Sequence, residues 1–246
     1  MSDLPQLIYG WHPVLEALEA KHPIEKILLR KGISGRGAEQ LLRIAQERQI
    51  PVQEVPHEKL NRTTRGQHQG LIAFRALLPN PDVQDIVAQV FESGQTPFIV
   101  LLDQVSDVRN MGAIARSALC FGAHALVVPS RGSALISEDT IKSSAGALLH
   151  LPLCRVWNLK DSIKSLKESG LHFFAVHEKG SLQPHQADLS QPLMLMMGSE
   201  HEGISPAYLS MADHSIAIPQ TGPVASLNVS VAAGILAYET FKQRRG

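Results

Sequence analysis

Six short apolar runs recur through residues 97–246, and segments long enough to form a helix separate most of them. Continuous apolar runs of this length are typical of strands that are buried on both faces, as in a parallel sheet. The runs are PFIVLLD (97–103), ALVVP (125–129), LPLCRV (151–156), HFFAVH (172–177), LMLMMG (193–198) and SIAIP (215–219). Helices are predicted at about 111–121, 137–149, 159–169, 205–212 and 227–242. This alternation predicts an α/β domain on a doubly wound sheet of five or six parallel strands.

The first 77 residues show a second, smaller α/β pattern. Two helical segments, PVLEALEA and AEQLLRIAQERQ, alternate with strand-like runs at IEKILLR, PVQEV and GLIAFRALL. The stretch LPNPDVQD at 78–85 contains two prolines and an asparagine, which interrupt regular structure and mark a boundary. We therefore predict a domain at 1–77, a linker at 78–96 and a larger domain at 97–246.

Several function classes lack their expected sequence features. The net charge is zero, so no overall basic field indicates a nucleic-acid partner. The glycine-rich signatures of dinucleotide-binding proteins and P-loop enzymes are absent. Cys120 and Cys154 are too few for a disulfide framework or a cysteine-based zinc site, and the histidines show no metal-binding spacing, so no metal is expected. No apolar run approaches the roughly 18 residues of a membrane span, and the N-terminus lacks a signal-peptide pattern, so the cytoplasm is the expected compartment.

Three segments at the carboxyl ends of predicted strands contain unusual polar residues. In an open α/β sheet, ligands bind at this edge. The segments are NMGAIAR with Asn110 and Arg116, MMGSEHEG with Met197, Gly198 and Glu200, and IPQTGPVASLNVS with Ile218, Pro219, Ser226, Leu227 and Asn228. In this order they resemble the three motifs of the SpoU-type branch of the SPOUT RNA methyltransferases. Members of that family transfer a methyl group from S-adenosylmethionine to a ribose 2′-hydroxyl.

The resemblance also implies an architecture. The larger domain is expected to be a SPOUT-type parallel-sheet domain tied as a trefoil knot, and to form a homodimer with the active site at the interface. IYGWHPVLEAL near the start and HQGLIAF at 68–74 resemble the N-terminal domain of one subgroup. Its members are similar to the enzyme that methylates a guanosine of large-subunit ribosomal RNA, and their first domain is a ribosomal-protein-like α/β fold that binds RNA.

The same resemblance assigns the site residues. The expected catalytic set is Asn110, Arg116, Glu200, Ser226 and Asn228, and the expected methyl-donor set is Met197, Gly198, Ile218, Pro219, Ser226 and Leu227. A guanidinium stays protonated at physiological pH and is therefore a poor base. We thus predict that Arg116 orients a phosphate and stabilises the developing alkoxide, and that the 2′-hydroxyl proton leaves late to water or phosphate.

Local structure around the motifs can also be predicted. We expect Asn110 to lie in a loop ahead of the helix that carries Arg116. Ser226 is the expected N-cap of the last helix, with Asn228 just inside it. His201 stands where the family usually has glycine after the second-motif glutamate, and Gly203 is expected to supply the flexibility of that turn.

Basic residues in two N-terminal loops are the candidate RNA contacts. Arg62, Arg65 and His68 lie in NRTTRGQHQG, and Arg30 and Arg36 lie in RKGISGRG. Such side chains suit phosphates and base edges, although composition alone fits a solvated loop equally well. Ribosomal RNA is the expected partner. A transfer-RNA ribose methyltransferase and a non-catalytic RNA-binding assembly factor remain the alternatives.

Overall fold

The computed structural model of the chain describes residues 7–199, 202–221 and 226–245. The chain divides into two compact units, Met1–Pro79 and Asn80–Gly246. The predicted linker at 78–96 includes a helix, Val83–Glu92, whose Val83 and Val87 belong to the core of the second unit.

Within the described residues, no helix has the length and apolar character needed to cross a membrane.

The first unit is a four-stranded sheet with helices on both faces. Its elements are β1 (Leu7–Tyr9), α1 (Trp11–Glu19), β2 (Ile24–Arg30), α2 (Arg36–Glu47), β3 (Val52–Val55), α3 (His57–Thr63) and β4 (Leu71–Arg75). The strand order is β1-β4-β2-β3, with β2 and β3 parallel and the other pairs antiparallel. Ile27 and Leu29 of β2 pack in the cluster with α1 and α2, whereas Leu28 packs with Leu60 of α3. Alternate residues of a strand therefore fill two separate cores.

The second unit contains a six-stranded, fully parallel sheet in the order β10-β8-β9-β5-β6-β7. Its elements are α4 (Val83–Glu92), β5 (Phe98–Leu102), α5 (Val108–Cys120), β6 (Ala125–Pro129), α6 (Glu138–Ser143), β7 (Leu153–Val156), α7 (Leu159–Glu168), β8 (His172–Val176), β9 (Leu193–Met197), α8 (Pro206–Leu209), β10 (His214–Ile216) and α9 (Val229–Arg245). Every residue of β5 and β9 is buried, as their continuous apolar sequences predict. The predicted α/β fold with a parallel sheet is therefore confirmed.

The helix predicted at 137–149 is shorter than expected. Ser137 and Thr140 form a reciprocal capping box at its start, and α6 ends at Ser143. Ala145 and Gly146 then take left-handed backbone angles, with φ of 50° and 83°, before a 3₁₀ turn at Ala147–Leu149. A helix cannot continue through such angles, so the apolar residues that suggested one long helix belong to two separate turns.

The C-terminal end of α9 is anchored by one arginine. The Arg244 guanidinium donates hydrogen bonds to the backbone oxygens of Thr96, Pro97, Leu189 and Gln191, at 2.6–3.3 Å. The same guanidinium lies over the Phe98 ring, 5.6 Å from its centroid. Burial lowers the pKa of Arg244 to about 10, which leaves it charged at neutral pH. Arg244 thus joins the last helix to the segments that lead into β5 and β9.

Asp213 gives the second unit a pH-dependent contact. Its carboxylate accepts hydrogen bonds from Lys167 Nζ at 2.6 Å and from the Phe173 backbone N–H at 2.8 Å. Burial raises the pKa of Asp213, but the hydrogen bonds from Lys167 and Phe173 and the Lys167 charge outweigh it, so the net pKa lies below 3.8. A carboxylate with a lowered folded-state pKa stabilises the fold above its unfolded pKa, and this contribution is lost as the pH falls through the folded value.

We expect Asp213→Asn to lower the free energy of unfolding by about 1 kcal/mol at pH 7, because the charge-assisted contacts are partly exposed to solvent. The difference from the wild type should shrink below about pH 4. Urea unfolding at pH 7 and pH 3 measures both values. Glu168→Gln, at an exposed position of α7, is the control and should have little effect at either pH. A pH-independent loss in Asp213→Asn would contradict the electrostatic origin.

Candidate functional site

The carboxyl edge of the parallel sheet brings the first and third sequence segments together. Asp107 caps α5, because its carboxylate accepts the backbone N–H groups of Arg109 at 2.8 Å and Asn110 at 3.0 Å. The helix therefore starts at Val108, and the prediction that Asn110 lies in a loop is wrong. Asn110 occupies the first turn of α5, and Arg116 lies further along the same helix with an exposed side chain.

Asn228 joins this helix to α9. Its Nδ2 donates to Asn110 Oδ1 at 3.1 Å, a contact between residues 118 positions apart. Its Oδ1 accepts the Ser230 backbone N–H at 2.9 Å, and its backbone oxygen accepts from Val231 and Ala232. Asn228 is thus the N-cap of α9, and the prediction that Ser226 has this role is wrong because Ser226 lies two residues before this cap.

A cavity opens beside this contact, where β8, β9 and the start of α9 meet. Its described lining is Val176, His177, Glu178, Met197, Gly198, Ser199, Glu202, Gly203, Ile218, Gln220, Ser226, Leu227, Val229 and Ala232. Five of the six predicted donor residues are in that lining, and Pro219 lines an adjoining recess instead. The wall combines apolar side chains with glycines and exposed polar groups, a mixture suited to a small organic ligand with polar edges.

The second sequence segment forms a closed turn at the cavity. Ser199 and Gly203 exchange two backbone hydrogen bonds of 3.0 Å, and Gly203 has a left-handed φ of 68°. A Cβ on Gly198 would overlap backbone atoms of Gly203 and Ile204. Two residues of this segment lie outside the described residues. They are Glu200, which was predicted to be catalytic, and His201, which departs from the family pattern. Glycine adopts the left-handed φ of Gly203 without a steric penalty, and the flexibility expected of this turn stays a prediction.

Asp103 holds this turn against β5, and sequence reasoning missed it. The side chain is 3% exposed, and its carboxylate accepts from the Ser205 backbone N–H at 2.7 Å and the Ser205 hydroxyl at 2.6 Å. The available signal was an aspartate directly after a buried strand, at the sheet edge where ligands bind. His177 and Glu178, which line the cavity after β8, were also missed.

Gly198 provides a direct test of the cavity. The sequence resemblance implies S-adenosylmethionine as the ligand, and on that basis we expect Gly198→Ala to weaken its binding at least tenfold, because the added methyl group must displace the Gly203 backbone that lines the cavity. Isothermal calorimetry measures this affinity. The matched control is Gly234→Ala on α9, where the new Cβ would meet Ser117 Oγ at an ordinary 3.5 Å. Equal donor affinity in both variants would show that the Gly198 turn does not shape the binding site.

The predicted RNA contacts of the first unit differ in accessibility. Arg30, Arg36, Arg62 and Arg65 are exposed, whereas His68 is 5% exposed. His68 Nδ1 accepts the Gly70 backbone N–H at 3.0 Å, so Nε2 carries the proton and donates to Asn61 Oδ1 at 2.9 Å. Burial, followed by the charges of His57 and Arg30, lowers the pKa of His68. Its ring therefore shapes the 61–70 loop, and this argues against direct contact with RNA.

An apolar stripe remains exposed on α9 and just before it. Val231, Ile235 and Tyr238 follow helical spacing and are 49%, 38% and 53% exposed, and Leu227 is 37% exposed. The opposite side of the same helix is buried through Val229, Ala233, Leu236, Ala237 and Thr240. Because both sides of the helix are apolar, the buried core accounts for only one of them.

Among the described residues, no group of three or more His, Cys, Asp or Glu side chains could hold a metal ion.

Two family models match the chain, one in each unit. Residues 97–238 match the SpoU rRNA methylase family, and residues 7–81 match the RNA 2′-O ribose methyltransferase substrate-binding domain. A relative named as a TrmH family tRNA/rRNA methyltransferase, YacO of Bacillus subtilis, is 32% identical over 99% of this chain and 98% of its own length.

Solved structures match over different lengths. The SpoU methyltransferase AviRb from Streptomyces viridochromogenes, crystallised with AdoMet, aligns over 97% of this chain and 90% of its own, with 27% identity and a TM-score of 0.61. An AdoMet-bound rRNA methyltransferase from Sinorhizobium meliloti covers 96% of this chain and 86% of its own, with 26% identity and a TM-score of 0.60. A TrmH/SpoU tRNA modifying enzyme of A. aeolicus covers 61% of this chain and 77% of its own, with 31% identity and a TM-score of 0.57.

Proposed function

The chain belongs to the SpoU rRNA methylase family, and we propose that it methylates the ribose 2′-hydroxyl of a guanosine in large-subunit ribosomal RNA. The observation that carries the proposal is the hydrogen bond between Asn110 and Asn228 beside the cavity. It joins the first and third motifs where the turn of the second motif forms a wall, so that one site can hold a methyl donor and a ribose.

The cavity fits S-adenosylmethionine by the chemistry of its walls. Met197, Ile218, Leu227 and Val229 offer apolar surface for an adenine ring, while Gly198, Ser199 and Gly203 lie in the same wall and can bring backbone groups close to a ligand. His177, Glu178 and Glu202 add polar side chains for the amino-acid end. When bound, S-adenosylmethionine supplies an electrophilic methyl group on a sulfonium centre.

The chain's own residues act mainly by positioning and by charge. Asn110 and Asn228 fix the α5 and α9 helix starts relative to each other, which aligns the groups on both sides of the site. Arg116 binds the phosphate next to the target ribose and stabilises negative charge on the 2′-oxygen as the new O–CH₃ bond forms. The hydroxyl proton leaves late, to water or phosphate, because a guanidinium cannot accept it.

The N-terminal unit supports ribosomal RNA as the substrate. The rRNA methyltransferase of Sinorhizobium meliloti covers 96% of this chain, whereas the tRNA modifying enzyme of A. aeolicus covers only 61%. We propose that residues 1–77 bind RNA through Arg30, Arg36, Arg62 and Arg65, that 78–96 connect the domains and that 97–246 transfer the methyl group. Transfer RNA is the competing substrate, since the name of the relative YacO includes both RNA classes.

Mapping of 2′-O-methylated riboses in RNA from cells with and without the gene tests the substrate. We expect one guanosine methylation of large-subunit ribosomal RNA to disappear, and purified protein with S-adenosylmethionine to restore it on that RNA. Loss of a transfer-RNA methylation instead would contradict the ribosomal substrate. Absence of donor binding by calorimetry would favour a non-catalytic RNA-binding factor.

We also propose a homodimer formed through the apolar stripe at Leu227, Val231, Ile235 and Tyr238. Ile235→Glu places a charge in the middle of that stripe and should convert the dimer to monomer, with a loss of affinity of at least tenfold. Analytical ultracentrifugation measures the change. Leu42→Glu on α2 is the control, since Leu42 is an apolar residue of the first unit with a similar exposure, 44% against 38% for Ile235. A wild-type monomer, or an Ile235→Glu dimer, would contradict the proposal.

A further inference from the structure

A tryptophan–arginine pair is exposed at the carboxyl edge of the second sheet. Trp157 directly follows β7 and is 46% exposed, although tryptophan side chains are usually well buried. Arg131 follows β6, and its guanidinium carbon lies 4.8 Å from the centroid of the Trp157 ring. This is cation–π geometry, which orders both side chains at the surface. The pair has no role in the core or in the cavity described above.

Backbone contacts connect this pair to the proposed reaction site. The Ser130 N–H donates to Val156 O at 2.8 Å, which joins the loop after β6 to the end of β7. The Ala134 N–H donates to Val105 O at 3.2 Å, which joins the same loop to the segment that leads into α5 and Asn110. Because β5, β6 and β7 are neighbours in the sheet, Trp157 lies two strand spacings, roughly 10 Å, to the side of the loop after β5.

Two exposed arginines at this edge of the sheet can contact an anionic partner. Arg109, in the first turn of α5, is exposed on the same edge as Arg131. Two nearby acids are already engaged, because Asp107 caps α5 and Asp161 accepts a hydrogen bond from Asn158. Glu138 lies 3.9 Å from Lys142, and Asp139 remains as an exposed carboxylate beside them. Arg131 thus lies against Trp157, and Arg109 adds a second exposed guanidinium group at the same edge of the sheet.

We propose that Trp157 and Arg131 form a platform on which a nucleotide next to the methylated one stacks, with its phosphate facing Arg131 and Arg109. This inference rests on the proposed function and adds an RNA subsite to it. Aromatic rings and guanidinium planes both stack on unpaired bases, and neither reads the base identity strongly. A lateral offset of roughly 10 Å from the loop that leads into α5 and Asn110 suits a flanking nucleotide rather than the target ribose.

The isolation of Trp157 distinguishes this surface from a protein interface. The exposed large apolar residues of α9 form a stripe, but the platform contains one aromatic ring with polar neighbours. Leu149, the other large exposed apolar side chain near β7, precedes that strand and so lies toward its opposite end. A stable protein contact needs a larger continuous patch, whereas base stacking needs a single ring.

The test compares Trp157→Ala, Trp157→Phe and Arg131→Ala with wild type, using unmethylated large-subunit ribosomal RNA transcribed in vitro. We expect Trp157→Ala to raise KM for this RNA, and Kd in filter binding, about tenfold. The S-adenosylmethionine affinity and kcat at saturating RNA should stay within twofold. Trp157→Phe should recover most of the RNA affinity because a phenyl ring still stacks, and Arg131→Ala should give an intermediate loss.

The matched control is Phe91→Ala, which removes an aromatic ring of similar exposure, 42%, at the end of α4 before β5. If Trp157→Ala binds RNA as Phe91→Ala does, or changes the oligomeric state instead, the platform is overturned. If wild type transfers no methyl group to any RNA, the proposed function fails, while filter binding of the same variants still decides the platform.

Discussion

Replacing Arg116 with alanine should lower kcat for methyl transfer about 100- to 1,000-fold, the loss that follows removal of a group stabilising transition-state charge. Arg116 is exposed on α5, beyond the turn that carries Asn110, so its side chain is available to RNA. Donor affinity should be unchanged, because Arg116 is not among the described residues that line the cavity. Single-turnover transfer of a labelled methyl group to ribosomal RNA measures kcat, and calorimetry measures donor affinity.

Arg116→Lys separates the geometry of the guanidinium from its charge. A lysine keeps the positive charge but loses the planar fork that binds a phosphate through two N–H groups. We expect this variant to retain only a small fraction of wild-type turnover across the pH range. Near-normal turnover would contradict the fork-geometry role. Lys164→Ala, which removes an exposed cation from α7, controls for the general loss of positive charge.

Replacing Arg244 with alanine should lower the free energy of unfolding by about 3–5 kcal/mol, because it leaves four backbone oxygens without their charged donor. The loss should be accompanied by faster hydrogen exchange at the C-terminal end of α9, since the side chain joins that end to β5 and β9. Urea unfolding and hydrogen-exchange mass spectrometry measure the two effects.

Arg245 provides the matched control for this substitution. It is the adjacent arginine, it is exposed, and its guanidinium lies 4.4 Å from the centroid of the Phe241 ring. Arg245→Ala should cost less than about 1 kcal/mol, the usual value of an exposed cation–π contact. Arg244→Lys should be intermediate, because an ammonium group has fewer donors in a less suitable geometry. Equal losses in the two alanine variants would refute the anchoring role of Arg244.

The strands of the second unit could be predicted because their signal is local. Runs such as LMLMM at 193–197 are apolar at every position, and only burial on both faces of a parallel sheet suits such a sequence. The prediction for the first unit was less complete, since it missed β1 and α3. Leu7–Tyr9 has only three residues, and His57–Thr63 contributes a single fully buried residue, Leu60, so neither shows a clear apolar period.

The candidate site was predicted only in part, because some of its features depend on contacts that no local apolar pattern reveals. The motif spacings named Asn110, Arg116 and Asn228, but helix starts depend on which side chain reaches a free backbone N–H. Asp107 and Asn228 supply those caps, so α5 begins earlier and α9 later than the apolar pattern indicates. The domain boundaries at 77 and 97 and the roles of the site residues stay predictions that the experiments above address.

The sequence by itself determined the parallel sheet, the family and the identity of the motif residues, because apolar periodicity and motif spacing are properties of neighbouring positions. The tertiary structure decided which of those residues meet. The bond from Asn228 to Asn110, the approach of Gly198 to Gly203 and the burial of His68 each depend on how separate segments pack. Such contacts are made between surfaces that come together only when the chain folds, so no local pattern encodes them.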